Sequence, residues 1–312
     1  MNILSLVQTA LELGLICSLT VLALFLSYSM LNVCDLSTDS CFTLGAAVGA
    51  MVAIAGHPYL ALLAAMGAGV LSGFITALLQ TKMGIDSLLA GIIVNTGLYS
   101  VNIAVMGGSS LLNMNKTETV FTKARALLQG TFLAEQYKLL VAAIAVIAVI
   151  VFLVLFLHTR LGLAIRATGD NPDMVRSSSI NPTFTTIVGL CVANAFTGLS
   201  GCLLAQSQKS VSIDIGTGMV TIALASLIIG ETLLGKRTML RRIIGVVFGS
   251  CLYRFIVAVA LRFNVPAAAM KLVSAIIVAI AISMPAIKEK IAFEQRKHGA
   301  CRRRVTTGKE GK

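Results

Sequence analysis

Apolar runs of about 20 residues, the length that a helix needs to cross a bilayer, recur along this sequence. They cover residues 7–28, 58–80, 86–107, 138–158, 183–206, 218–235, 243–262 and 265–284. Charged residues make up 12% of the 312 residues, against roughly 25% in an ordinary soluble domain. The pattern predicts an all-α, polytopic membrane protein with about eight transmembrane helices.

The apolar runs leave no room for a separate soluble domain. The sequence therefore predicts one transmembrane domain over residues 1–290 and a basic tail over residues 291–312. The N-terminus lacks a basic region, carries Glu12 and has no convincing small-residue cleavage site. We therefore expect the first run to be retained rather than removed as a signal peptide.

A further apolar piece, Cys41–Gly56, is short and rich in glycine. If it does not cross and the N-terminus is inside, the segments rich in Lys and Arg all fall in the cytoplasm, as membrane proteins favour. We predict that this piece is a short broken or half helix beside a transport pathway, since irregular backbone at membrane depth must be buried in protein or line a cavity. The alternative is that Cys41–Gly56 spans the membrane completely and that one of the other predicted helices does not.

The same topology predicts a multi-pass protein of the plasma membrane with both termini in the cytoplasm. Lys82, the loop 161–182 and the basic tail then lie inside. The segment 32–40, with Asp35 and Asp39, lies outside together with residues 113–136 and the region near Lys209. A pump driven by ions usually carries Asp, Glu or His near mid-membrane, and this topology places none there.

Few polar side chains fall inside the apolar runs. Asn95 and Asn102 are seven residues apart and so share a helix face, where they either hydrogen-bond a solute or join helices. Gly45 and Gly49 have the small-xxx-small spacing of closely packed helices, and we favour that structural role for the pair. The pathway candidates are Thr43, Gly45, Gly49, Asn95, Asn102 and Asn194.

Several other kinds of site are excluded by the motifs. Gly230–Arg237 resembles a phosphate-binding loop, but Arg237 stands where a Ser or Thr must hold magnesium, and an apolar helix precedes it. The seven cysteines form no C-x-x-C pair. The basic residues lie at segment ends rather than on one folded face. We expect no enzymatic activity, no metal, no cofactor and no nucleic-acid partner.

The stretch Leu161–Pro182 gathers two arginines and two aspartates between two apolar runs, and Arg160 directly precedes it. Asn171 suits an N-cap, Pro172 the first helical position, and Asp173 the positive end of the helix dipole. Asp173 and Arg176 are three residues apart and can pair on the helix surface. The sequence predicts a helix of two turns at most, which ends before Pro182.

This loop, with its "RATGDNP" and "SSIN" sequences, and the following "TFTTIVGLCVANAFTGLSGCLLAQ" and "GTGMVTIALASLIIG" resemble the permease subunits of bacterial ABC importers of the branched-chain amino-acid and ribose type. Within that group the chain is most similar to permeases assigned to tryptophan or tyrosine uptake. The resemblance implies that residues 170–180 form a coupling helix that docks on an ATPase subunit. The coupling-loop residues would then be Arg166, Asp170, Asn171, Pro172, Asp173 and Arg176. Glu231 departs from the paired glycines common at its position.

The resemblance also implies partners: two cytoplasmic ATPase subunits, an extracytoplasmic solute-binding protein, a second permease copy and membrane lipid. The expected function is a permease that forms the solute pathway of an ATP-driven importer, with an amino acid as solute. The alternatives are a permease for a simple sugar or a nucleoside, or an independent secondary transporter. An integral membrane enzyme is a weak alternative, because no cluster of catalytic residues is present.

Overall fold

The computed structural model describes residues 3–128, 136–235, 238–262, 272, 275–280 and 283. The α-helices are α1 Ile3–Leu24, α2 Thr38–Ile54, α3 Pro58–Thr81, α4 Ser87–Val105, α5 Val120–Leu127, α6 Tyr137–His158, α7 Arg160–Asp170, α8 Pro172–Ser177, α9 Pro182–Gln208, α10 Met219–Leu234 and α11 Met239–Arg262. The segment Phe25–Met30 extends α1 as a π-helix.

The all-α membrane fold is confirmed. Among the described residues, six helical segments are long and apolar enough to span a membrane: Leu6–Met30, Pro58–Thr81, Ser87–Val105, Tyr137–His158, Pro182–Gln208 and Met239–Arg262. The predicted span 218–235 corresponds to α10, which has 16 residues and is therefore about 24 Å long, less than the roughly 30 Å of a hydrocarbon core. Most of the predicted span 265–284 and all of the tail 291–312 lie outside the described residues.

Two short strands mark one end of the bundle. The strands β1 Leu111–Asn113 and β2 Ser210–Ser212 pair antiparallel, with Leu112 opposite Val211. They follow α4 and α9 respectively, so both helices end here. We call this the hairpin end, although the two strands are far apart in the sequence. The opposite end carries α7 and α8 and is called the loop end.

The first helix runs from the hairpin end to the loop end. The Ser200 hydroxyl of α9 donates a hydrogen bond to the carbonyl of Ile16 at 2.7 Å, and the Leu31 side chain lies against Gly189 nearer the start of α9. The two helices are therefore antiparallel. At the hairpin end, Leu6 of α1 lies beside Arg262, the last residue of α11.

The prediction that the N-terminus and the loop share one side is wrong. The reason lies in residues 31–37, where the chain turns back inside the bundle rather than outside it. Asp35, predicted in an exported loop, is 1% exposed. From this turn α2 runs parallel to α9, with Cys41 against the carbonyl of Asn194 and Gly49 against Cys202. α2 thus returns the chain to the hairpin end.

The prediction of a short broken helix at Cys41–Gly56 agrees with α2, whose 17 residues begin inside the bundle. A second short helix, α10, also begins inside, because residues 213–218 lead from β2 to the first turn of α2. α9 passes through the middle of the bundle, packed against α1, α2 and α3. Backbone of both short helices is thereby buried in protein, as a membrane interior requires.

Candidate functional site

A cavity of about 380 Å³ opens between the first turn of α2, one face of α4 and the connection that precedes α10. Nine of its ten lining residues have polar side chains, although the cavity is built on apolar segments. The lining residues are Asp39, Ser40, Thr43, Asn95, Thr96, Tyr99, Ser100, Ile213, Asp214 and Thr217. A polar recess beside two broken helices is the arrangement expected of a solute site in a transporter.

Asp39 fixes the inner wall of the cavity. Its two carboxylate oxygens accept hydrogen bonds from the backbone N–H groups of Gly218 and Val220, at 2.9 and 2.8 Å. These N–H groups belong to the first turn of α10, which has no side-chain cap from its own N-cap residue, Gly218. An anionic group at a helix N-terminus satisfies such orphan donors and favours the helix dipole. Asp39 therefore joins the beginnings of α2 and α10.

Asn95 lines the cavity and also joins α4 to α2. Its Oδ1 accepts a hydrogen bond from the N–H of Ser40 at 3.1 Å, and its carbonyl accepts one from the Ser40 hydroxyl at 2.8 Å. Asn102 is 1% exposed and donates through Nδ2 to the carbonyl of Ser40 at 3.1 Å. Asn102 thus lies behind the cavity wall and only joins α4 to α2, whereas Asn95 joins the two helices and also lines the cavity.

The remaining pathway candidates lie in different surroundings. Thr43 lines the cavity. Gly45 and Gly49 instead face α9: a Cβ at Gly45 would overlap the backbone of Gly198, and one at Gly49 would overlap the side chain of Cys202. The two glycines permit close approach of α2 and α9, which matches their small-xxx-small spacing.

Asn194 lies at the internal turn rather than in the cavity. Its Nδ2 donates to Asp35 Oδ2 at 2.8 Å. The other carboxylate oxygen of Asp35 accepts from the N–H and the hydroxyl of Ser37, at 2.9 and 2.6 Å, and Thr76 of α3 donates to Ser37. This network satisfies a buried carboxylate through hydrogen bonds, and it fixes the turn against α3 and α9.

Several lining residues were not singled out from the sequence. Thr96, Tyr99 and Ser100 follow the candidate Asn95 by one, four and five positions along α4, so the four residues lie on one side of a largely apolar helix. That spacing was a detectable signal. Asp39 and Asp214 gave none, because aspartates next to an apolar run are typical of an exported loop, whereas the structure places both in the wall of the cavity.

The loop end presents the predicted coupling residues. Asn171 caps α8, with its Oδ1 accepting from the N–H groups of Asp173 and Met174, each at 3.1 Å. Pro172 occupies the first turn, as the sequence predicts. The helix has six residues. The six predicted coupling residues are all exposed: Arg166, Asp170, Asn171, Pro172, Asp173 and Arg176. Asp173 and Arg176 do not form the ion pair that their spacing allowed.

A helix that the sequence did not predict supports this loop. α7 begins after Thr159, whose hydroxyl accepts from the N–H of Gly162. The Thr168 and Thr185 hydroxyls lie 2.8 Å apart and join α7 to α9. A Cβ at Gly169 would overlap the carbonyl of Met30. The loop is therefore packed directly against the end of the first helix, just before the internal turn.

Glu231 has a partner at the loop end. Its carboxylate lies 2.6 Å from the guanidinium of Arg242, which also donates to the Ser29 hydroxyl and lies over the Phe25 ring. Glu231 is 8% exposed. The departure from paired glycines at this position thus accompanies an ion pair that links α10, α11 and the π-helical end of α1.

The chain matches the family described as "Branched-chain amino acid transport system / permease component" over residues 6–282. The chain belongs to this permease family. The resemblance that the loop sequence indicated is confirmed, and the bundle is that of a multi-pass transport permease of the ABC type.

Individual relatives differ in the solute that they are named for. The chain is 32% identical to the tyrosine transport system permease protein of Clostridioides difficile, over 85% of this chain and 86% of the relative. It is 26% identical to the ribose import permease protein of Escherichia coli K12, over 71% and 67%. It is 29% identical to a guanosine ABC transporter permease protein of Bacillus subtilis, over 57% and 58%. No solved structure matches the chain.

Proposed function

We propose that this permease carries an amino acid through the cavity at Asp39 and is driven by separate ATPase subunits that dock on α7 and α8. The observation that carries the proposal is the exposed position of α8 at the loop end. A short helix capped by Asn171 is exposed there, and it is held by α7 against the end of α1. A segment so placed can receive a movement from a partner and pass it to the membrane helices.

The proposed orientation puts the loop end in the cytoplasm. Six basic residues of the described part of the chain lie at that end: Lys82, Arg160, Arg166, Arg176, Arg241 and Arg242. Cytoplasmic ends of membrane helices usually carry an excess of Lys and Arg, but the hairpin end carries as many in the described residues: Lys116, Lys123, Arg125, Lys138, Lys209 and Arg262. The proposed orientation therefore rests on the docking of the ATPase at α8. The N-terminus is then outside the cell, and we keep the cytoplasmic position for the tail 291–312.

The proposed assembly is a dimer of permeases in the plasma membrane, with two ATPase subunits below and a solute-binding protein at the hairpin end. In this assembly ATP binding closes the ATPases, the α8 helices of the two copies approach each other, and the cavity changes sides. The chemistry of ATP belongs to the partner. The permease contributes the pathway and the mechanical contact.

An amino acid is proposed as solute because the relative of C. difficile named for tyrosine covers most of both chains. Relatives named for ribose and guanosine make a sugar or a nucleoside the alternative within the same importer class. A secondary transporter is a separate alternative, and the buried carboxylate of Asp35 is the feature that favours it, since carboxylates at membrane depth often serve ion coupling.

Reconstitution tests the proposal. The permease is placed in proteoliposomes together with its proposed ATPase and solute-binding partners, and the proteoliposomes are supplied with radiolabelled tyrosine, ribose or guanosine. We expect uptake of tyrosine that requires ATP and persists when ionophores abolish ion gradients. Uptake that follows a sodium or proton gradient without ATP would establish the secondary transporter instead, and ATP-driven uptake of ribose or guanosine alone would assign the alternative solute.

A further inference from the structure

We infer that the cavity selects solutes that offer a cationic, hydrogen-bond-donating group, such as the ammonium group of an amino acid, and excludes solutes whose only charge is negative. The inference deepens the proposed function and rests on it for the identification of the cavity as the pathway. The charge selectivity of the lining can be tested in the permease without any partner subunit.

The charge of the lining has one sign. Asp39 and Asp214 contribute carboxylates, and no Lys, Arg or His is among the described lining residues. Walls of low dielectric around a cleft of one sign focus its field and raise the local concentration of opposite charge. A cation is therefore concentrated in this cavity and an anion is repelled from it.

The helix terminus that would otherwise bind an anion is already occupied. Transporters with broken helices commonly hold a substrate carboxylate on the N–H groups of a half-helix N-terminus. Here the N–H groups of Gly218 and Val220 are bound by Asp39. A solute carboxylate could reach them only by displacing a side chain of the same charge that is fixed by two hydrogen bonds.

The second carboxylate is available to a solute. Asp214 is exposed on the connection that precedes α10. Its carbonyl accepts from the N–H of Thr217 at 3.0 Å, and Ile215 donates to Ser212 at 3.1 Å, so local turns hold the backbone. Within the described part of the chain its carboxylate makes no hydrogen bond or ion pair. We assign the ammonium group of the solute to Asp214.

The neighbouring groups suit the rest of an amino acid. Ser40 uses Oδ1 of Asn95, so the donor side of that amide remains for a solute. The Tyr99 ring is 49% exposed and offers a flat apolar face together with a hydroxyl. Behind the wall, Oδ1 of the buried Asn102 has no partner in the described residues, which adds an unsatisfied acceptor beside Ser40.

Charged thiol reagents test the field directly in the purified permease. In a cysteine-free background, Ser100→Cys places a thiol in the cavity, and Ser109→Cys places one on the exposed hairpin end outside it. Each is labelled with a methanethiosulfonate that carries a trimethylammonium group and with one that carries a sulfonate. We expect the cation-to-anion rate ratio at position 100 to exceed that at position 109 by about tenfold or more.

The carboxylates are then removed singly. Asp214→Asn should lower the ratio at position 100 several-fold, and Glu118→Gln, which removes an exposed carboxylate outside the lining, should not change it. Asp39→Asn is a second variant whose folding is checked by size-exclusion chromatography. Equal ratios at positions 100 and 109, or a ratio that Asp214→Asn leaves unchanged, would overturn the inference.

A transport arm addresses the solute itself. With the binding protein saturated with radiolabelled tyrosine, Asp214→Asn should slow uptake about tenfold or more while the stimulated ATP hydrolysis persists, and Glu118→Gln should match the unmodified chain. Unchanged uptake in Asp214→Asn would also overturn the inference. If the unmodified assembly shows no ATP-driven uptake of tyrosine while the thiol ratios behave as expected, the proposed amino-acid importer fails and the charge selectivity of the cavity stands.

Discussion

At the scale of single residues, small side chains determine how closely α2 approaches α9. Without a hydrophobic drive between helices in lipid, association depends on packing and on hydrogen bonds. Gly45 lies against Gly198, whose own Cβ position lies against Ala65 of α3. The helices α2, α3 and α9 therefore meet around Gly45 and Gly198. Because α2 also packs against α4, the close contact between α2 and α9 helps to position the polar residues of α4.

We predict that Gly45→Ala destabilises the permease and that Gly67→Ala does not. A Cβ at Gly45 meets backbone that cannot yield, whereas Gly67 faces open space, and overpacking typically costs about 1 to 3 kcal/mol. The melting temperature in detergent, measured by loss of monodisperse protein on heating, checks this. Equal melting temperatures for the two variants would contradict the packing that places α2.

At the scale of elements, the internal turn 31–37 connects the loop end to the cavity over a short distance along the chain. Met30 touches Gly169 of α7, and Asp39 caps α10 and lines the cavity. Asp35 and Ser37 fix the turn between them. A displacement of α7 would therefore act on the residues next to the cavity wall without passing through a long helix.

The coupling role of α8 gives a prediction about charge reversal. Asp173→Lys and Arg176→Glu alter exposed side chains without an ion pair, so stability should change by no more than about 0.5 kcal/mol. Loss of a docked charge contact costs about 2 to 5 kcal/mol. We expect normal membrane levels with loss of the ATPase in a pull-down and loss of uptake. Lys116→Glu, near the hairpin end, is the control. Retained ATPase binding in both loop variants would mean that the loop 161–182 only connects α6 to α9 and does not dock on the ATPase.

At the scale of the whole molecule, the direction of α1 sets the position of the N-terminus. Because α1 runs toward α7 and α2 returns from the internal turn, the N-terminus lies at the end that carries the strand pair. The chain still places the loop 161–182 opposite that pair, since the helices from α3 onward keep the alternation that the sequence predicts.

Labelling of intact cells tests this arrangement. We expect an impermeant thiol reagent to reach Ser109→Cys from outside, to spare Asp173→Cys until the cells are broken, and an N-terminal epitope tag to be accessible from outside. The physical reason is that an impermeant, charged reagent does not cross the hydrocarbon core. A tag that is protected while position 109 is labelled would mean that α1 crosses in the other direction.

The sequence by itself determined whatever depends on neighbouring residues. Apolar runs fixed six spans within a few residues, and the order Asn171, Pro172, Asp173 fixed the start of α8, because caps and periodicity are local properties. The family also followed from local stretches of sequence, chiefly the loop 161–182. The spacing of Gly45 and Gly49 indicated close packing, and the spacing of Asn95 and Asn102 indicated one helix face without deciding between a solute site and a contact between helices.

Only the tertiary structure decided where the carboxylates lie. Asp39 binds the N–H of Val220 across 181 positions of sequence, and Asp35 is paired with Asn194 across 159. Burying an aspartate without a partner is costly, so a hydropathy pattern predicts that Asp35 and Asp39 lie in an exported loop. Their cost is offset by donors from a helix terminus and an amide that are distant in sequence, and no local pattern records which distant donors the fold will bring to a carboxylate.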